Sequence, residues 1–220
     1  LLKNYRLSAK HDREYNYDNS LKMSAIQAYF TFLTIYNTNV FYNYEYDFYN
    51  SHLMSEFKDY VNHYSRLSSR PFEFMDIQMS YAWGKDIAYR EAIPQLGIRS
   101  NLDFQMAVNI NNNLRVTPSI NFEKLKKIDS NEYFFDGYIA RLDLRYQFNT
   151  ALNFRVISEY NEFSDKFFVQ PLISWRPNPD TIFYFGGNQN YVNEFIDYNS
   201  PNYMVNKTQL FLKFQYLIKS

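Results

Sequence analysis

The chain of 220 residues has no cysteine, only five glycines, two tryptophans and three histidines. Without cysteine, neither a disulfide scaffold nor a thiolate metal site can form within it. No stretch approaches the roughly 18 or more consecutive apolar residues of a membrane helix. Neither sign of charge is in surplus, with 23 lysines and arginines against 23 aspartates and glutamates. The balance leaves no basic face for nucleic acid and no acidic surplus for cations. The one glycine pair, Gly186-Gly187, lacks the Gly-x-x-x-x-Gly-Lys spacing of a phosphate-cradling loop. It reads instead as a strand kink or close backbone approach near an outer rim.

What is abundant is aromatic. Tyr (22) and Phe (21) dominate, and a hydrophobic share of 46% coexists with a mean hydropathy of −0.51. Such a chain is apolar through amphipathic rings. These suit the two interfacial girdles of a membrane barrel, and a soluble aromatic sandwich would use them too.

The arrangement is more telling than the amount. Leu102, Phe104, Met106 and Val108 alternate with Asp103, Gln105 and Ala107, and Leu114, Val116, Ile120 and Phe122 with Arg115, Asn121 and Glu123. Ala140, Leu142, Leu144 and Tyr146 oppose Arg141, Asp143 and Arg145. Leu152, Phe154 and Val156 oppose Arg155 and Glu159, and Leu210, Leu212, Phe214 and Tyr216 oppose Gln209, Lys213 and Gln215. A period of two is a strand with two chemically different faces. Runs of about nine residues match the 9–11 needed to cross a bilayer at a tilt better than the 5–6 usual in soluble sheets.

The connections also alternate in length. Tyr36 to Thr38, Ser68 to Pro71, Asn111 to Asn113, Asn149-Thr150 and Pro177 to Asp180 read as tight turns. His11 to Ser20, Asn50 to Asp59, Lys85 to Leu96 and Gln189 to Lys207 read as long polar loops. Short turns on one side and long loops on the other fit an outer-membrane barrel. The expected fold is therefore an all-β, antiparallel transmembrane β-barrel of about twelve strands, an even number as in bacterial barrels. It occupies residues 1–220 as one domain, the C-terminal portion of an outer-membrane barrel. A parity switch at Phe74 and Met75 reads as a β-bulge.

On this reading Leu102, Phe104, Leu142, Leu144, Phe154, Leu210, Leu212 and Phe214 face lipid. Asp103, Arg115, Glu123, Arg141, Asp143, Arg145, Arg155, Glu159 and Lys213 face a lumen. The reverse orientation would cost about 2–4 kcal/mol per Arg or Lys at mid-bilayer. The charges either tune solute selectivity or pair off and stiffen the wall, and mixed signs on adjacent strands favour pairing. Ser51, His52 and Glu56 are the nearest approach to hydrolytic chemistry, but neighbours in sequence are not a triad, so no catalytic residue is assigned. The three histidines His11, His52 and His63 lack zinc spacing. Asp12/Glu14 and Glu194/Asp197 read as solvated loop charge in preference to calcium ligands. No metal and no cofactor is expected. Tyr191, Phe195, Tyr198 and Tyr203 suit a loop contact, stacking on a sugar, on each other or on a partner protein.

The stretches FDGYIARLDLRYQFN (135–149) and NEFSDKFFVQPLISWRPNPDTIFYFGGNQ (161–189) and the close LFLKFQYLIKS (210–220) carry a family resemblance. They resemble the C-terminal barrel of an uncharacterised outer-membrane family of Bacteroidota. Its barrel often follows an N-terminal domain similar to family-nine carbohydrate-binding modules. The resemblance spans about Phe72 to Ser220. Its most specific parts are the tyrosine-arginine strand, Phe163 to Asp165, and Trp175 to Pro179. It implies a Gram-negative outer-membrane location, lipid as the surrounding partner and further strands upstream. The carbohydrate-binding-like domain is absent from this chain, so sugar remains a possible ligand only by association. The expected function is an outer-membrane, porin-like β-barrel of unassigned cargo, read as a channel or part of oligosaccharide transport. The alternatives are a non-transporting scaffold in a multi-protein membrane complex and, behind it, a membrane-embedded hydrolase.

Overall fold

A computed structural model describes residues 2–35, 37–52, 55–193 and 203–217. It is all-β apart from one turn of 3₁₀ helix at Glu162–Ser164. The strands are β1 (Leu2–Tyr15), β2 (Leu21–Thr34), β3 (Asn39–His52), β4 (Ser55–Phe72), β5 (Met75–Ile87) and β6 (Leu96–Asn109). They continue with β7 (Leu114–Lys127), β8 (Tyr133–Gln147), β9 (Leu152–Asn161), β10 (Lys166–Asn178), β11 (Thr181–Asn193) and β12 (Tyr203–Tyr216). Within one 12-stranded antiparallel sheet the spatial order is the sequence order, β1 to β12. Such a meander is the topology of an up-and-down barrel. Residues 1–104 with 121–137 form one compact unit, and residues 105–120 with 138–220 another.

The tyrosines, phenylalanines and β-branched residues fit a pleated ladder, and polar side chains punctuate it. At one end of the strands, here the turn end, an asparagine begins three of the reversals. The Asn111 side chain accepts from the amides of Asn113 and Leu114, at 2.9 and 2.8 Å. Asn149 accepts from Ala151 and Leu152 at 2.8 and 2.9 Å, and Asn178 from Asp180 at 3.1 Å. These are Asx turns, in which a short side chain replaces a backbone acceptor.

Several expectations are corrected. Ser68 to Pro71 is not a turn but the end of β4, where the ladder slips between Ser69 and Phe72. The reversal lies at Glu73-Phe74, between paired Phe72 and Met75, so the parity switch there is a hairpin and not a bulge within a strand. Of the expected long loops, Lys85 to Leu96 holds, as a connection between Ile87 and Leu96, whereas strands run into the other three. β3 and β4 pair as far as His52 with Ser55, β1 runs to Tyr15, and β11 and β12 pair as far as Asn193 with Tyr203. Gly186 and Gly187 lie mid-strand and not near the outer rim. The close-approach part of that reading holds. A Cβ on Gly187 would stand 2.8 Å from the Gln209 carbonyl oxygen.

The described residues bury little. No large side chain is fully enclosed, whereas Leu210 is 74%, Leu212 75% and Phe214 59% exposed. A soluble domain of this length would bury about 70% of its chain surface around a core. In the first unit, one small buried cluster is formed by Phe57, Tyr60 and Ile87, with Leu96 packed against it.

Candidate functional site

Cross-strand register sorts the side chains of each unit into two faces. In the second unit, Leu144 pairs with Val156, Val156 with Pro171, and Phe154 with Ile173. Ile173 then pairs with Phe185, and Phe185 with Leu212. Rings cap both ends of this apolar face. Toward the turn end, Trp175 stacks on Phe183 at 5.3 Å, and Phe183 meets Phe214 at a tilt at 5.0 Å. Toward the other end, the loop end, Phe167 meets Tyr191 at 5.7 Å and Tyr138 meets Tyr160 at 5.8 Å. Leu142 and Leu144 lie between, with Leu142 40% exposed.

The opposite face of that unit is polar. Arg141 meets Glu159 at 3.2 Å, and Arg145 lies against Asp143, its neighbour on the same face, at 2.9 Å. Arg155 is the cross-strand partner of Arg145, and its buried Nε has no hydrogen-bond partner. Two guanidiniums side by side, with one carboxylate already engaged, leave net positive charge on this stretch. Lys213 lies over the Tyr184 ring at 5.9 Å, and Arg115 reaches Asn109 at 3.5 Å. Among these charges two ion pairs form, Arg141 with Glu159 across strands and Arg145 with Asp143 along one strand.

In the first unit, Asp103 takes hydrogen bonds from Ser80 on β5, at 3.3 Å, and from Asn121 on β7. Asn121 shares its face with Glu123 through the pleat. Leu102 and Phe104 are half-buried on the reverse side.

At the loop end of the first unit the polar face is closed over. Between β2 and β3 the register slips, Ala25 pairing with Asp47 and Ser24 with Tyr49. Opposite this slip, Asp59 adopts a left-handed conformation, φ 53°. The combined irregularity sets Asn50 beside Tyr60, and the Asn50 amide donates to the Tyr60 hydroxyl at 3.1 Å. Tyr60 is the cross-strand partner of Asp47, which is only 4% exposed. From the connection between β5 and β6, the Tyr89 ring meets His52 edge-on at 4.8 Å. Ala88 and Pro94 of that connection are buried, so the loop leans over β3 and β4. Beside it Arg99 pairs with Asp86 at 3.0 Å. Sequence reasoning missed this cluster. Its signal was the acid–tyrosine register of Asp47 and Tyr60, visible only once β3 and β4 are aligned.

The remaining candidates are dispersed. Ser51 donates to the Lys22 carbonyl at 3.4 Å, and Glu56 is taken by Lys58 at 3.0 Å and by Tyr49. Neither is brought to His52. His11 bonds Ser24 at 3.2 Å and His63 bonds Tyr42 at 2.7 Å. Asp12 pairs with Lys10 at 2.7 Å and Glu14 with Lys22 at 3.1 Å, as ordinary surface charges do. Tyr203 donates to Asp165 at 3.2 Å, so Tyr191 and Tyr203 both have work within the wall. Phe195, Tyr198, Glu194 and Asp197 lie outside the described residues.

Asp165 is the last residue of the Phe163 to Asp165 motif, left-handed at φ 46°. Its carboxylate collects Tyr160 at 3.2 Å, Asn193 at 2.7 Å and Tyr203, tying three strands together at the loop end. No family model matches the chain, and comparison with curated proteins finds no match.

Proposed function

We propose that this chain is the membrane-embedded wall of a Gram-negative outer-membrane β-barrel that conducts solutes along its polar face. The segregation of the faces carries the reading. An exposed apolar face that passes from rings through aliphatic side chains to rings suits lipid with an interface on either side. From Phe167 to Trp175 a strand advances about 26 Å at about 3.3 Å per residue. A tilt of about 40° brings that to about 20 Å, close to the roughly 25 Å apolar band of such barrels. An open sheet edge would leave backbone polar groups unmet in lipid, whereas a closed wall of these strands meets them.

The polar face then supplies selectivity. Arg141, Arg145, Arg155, Arg115 and Lys213 outweigh Asp143 and Glu159 in the second unit, which favours anions. In the first unit the β5–β6 loop and the Asp47–Tyr60–Tyr89 group narrow the loop end of the polar face. The cargo class that fits is a small anionic or polyhydroxylated solute, hydrogen-bonded by Asn, Tyr and Arg side chains. The resemblance to the Bacteroidota family agrees with this reading and adds the oligosaccharide option.

The test is reconstitution of the full-length protein in planar bilayers. Stepwise conductance with anion preference is expected, and Arg155→Gln should move the reversal potential toward zero. Absence of conductance, with stable copurification of other membrane proteins, would favour the scaffold role instead.

A further inference from the structure

On the apolar face of the first unit, β4, β5 and β6 enclose a groove of about 520 Å³. Its walls are His63, Tyr81, Trp83 and Ile98, and the charged groups Asp59, engaged by the Tyr46 hydroxyl, and Arg99, paired with Asp86, also border it. His63 and Trp83 stack at 4.9 Å with ring planes 10° apart, and Tyr81 continues the series at 5.2 Å from Trp83. Part of the lining is bare backbone, because Gly84 sits at φ +127° and a Cβ there would stand 2.3 Å from the Val61 carbonyl oxygen. Only glycine allows the two backbones to approach so closely. Lys85 marks the loop end of the groove, just before β5 finishes at Ile87. Among the described residues it makes no ion pair, whereas Lys58 on β4 is paired with Glu56.

We infer that this groove holds an acyl chain of an anionic, phosphate-bearing lipid, with the phosphate at Lys85. The inference rests on the membrane reading above. Three observations select this occupant. The groove lies on the apolar face, where lipid and not solvent is the neighbour. Its strands are each paired on both sides, so no open edge invites an added peptide strand. The cation stands near the loop end of β5 with aromatic rings beside it in the groove, the pairing of groups that suits a membrane interface.

The two tryptophans make the test direct. The Trp175→Phe variant leaves Trp83 as sole fluorophore in the groove, and Trp83→Phe leaves Trp175 on the general apolar face. Each is reconstituted with brominated phosphatidylglycerol or brominated phosphatidylcholine, and quenching is compared. Trp83 should favour the anionic lipid by about three- to fivefold, the reach of one lysine–phosphate contact at a membrane surface. Lys85→Gln should abolish that preference while quenching itself persists, and Trp175 should show none. Equal quenching of Trp83 by both lipids overturns the lipid site and leaves the membrane reading standing. If neither lipid quenches Trp175, the membrane reading fails and the site falls with it. Native mass spectrometry offers a second readout: retained phosphatidylglycerol should be lost in Lys85→Gln.

Discussion

The ring of Phe211 lies across Gly186, so that a Cβ on the glycine would stand 2.9 Å from the Phe211 Cζ and 2.9 Å from the Pro171 carbonyl oxygen. The two residues are cross-strand partners on β11 and β12, on the face that also carries Arg155 and Lys213. A bare backbone on one strand is covered by a ring from the next, as when an aromatic side chain shields a strand glycine. Gly186→Val should therefore destabilise the protein by about 1–3 kcal/mol through overpacking. Heat-dependent gel mobility or urea unfolding in detergent would report it. Because the Pro171 carbonyl remains in the way, Phe211→Ala should relieve only part of that loss.

Asp165 gathers donors from Tyr160, Asn193 and Tyr203. Asp165→Ala strands three donors, while Asp165→Asn keeps the size but not the charge. The alanine variant should lose about 1–3 kcal/mol, with the asparagine variant between it and the parent. Hydrogen exchange should quicken at the loop ends of β9 and β11 before it changes at their turn ends. Uniform loosening would show that the carboxylate is not a local tie.

Asn149 closes its turn by accepting two backbone amides. Asn149→Ala should cost about 0.5–1.5 kcal/mol, the worth of such hydrogen bonds, and Asn149→Asp should restore most of it. Equilibrium unfolding of the three proteins decides the matter.

In the β1–β2 connection, the Ser20 hydroxyl at 2.6 Å and the Ser20 amide at 3.0 Å hold the Asp18 carboxyl below its usual value. A lowered folded-state pKa means that the stabilisation is complete above the unfolded pKa. It is lost as pH falls through the folded one. Ser20→Ala should raise the Asp18 pKa in an NMR titration and reduce the acid dependence of this turn. An unchanged titration would mean that the amide alone sets it.

The strands from Leu102 onward were legible because their two faces differ in chemistry: Leu142 and Leu144 against Arg141 and Arg145 leave one register possible. The asparagine turns were legible for the reason that makes them work, a short acceptor side chain at the first turn position. Glu73-Phe74 was not, because it carries none of the usual turn residues, whereas Ser68 to Pro71 carries several and is strand. Pro71 is tolerated there because the ladder slips between Ser69 and Phe72, so its missing amide costs little. The Asp47 cluster was hidden for another reason. Tyrosines populate both faces of β3 and β4, and the left-handed turn of backbone at Asp59 changes which side chains share a side. Neither fact leaves a periodic trace.

Because every strand in the order β1 to β12 lies beside its neighbour in the chain, no pairing has to wait for a distant segment to arrive. Each new hairpin adds onto the last at the small entropic cost of a short closure. Growth of the ribbon can thus keep pace with delivery of the polypeptide, one arm at a time, and a stalled intermediate would differ from the finished wall only in how many arms it has.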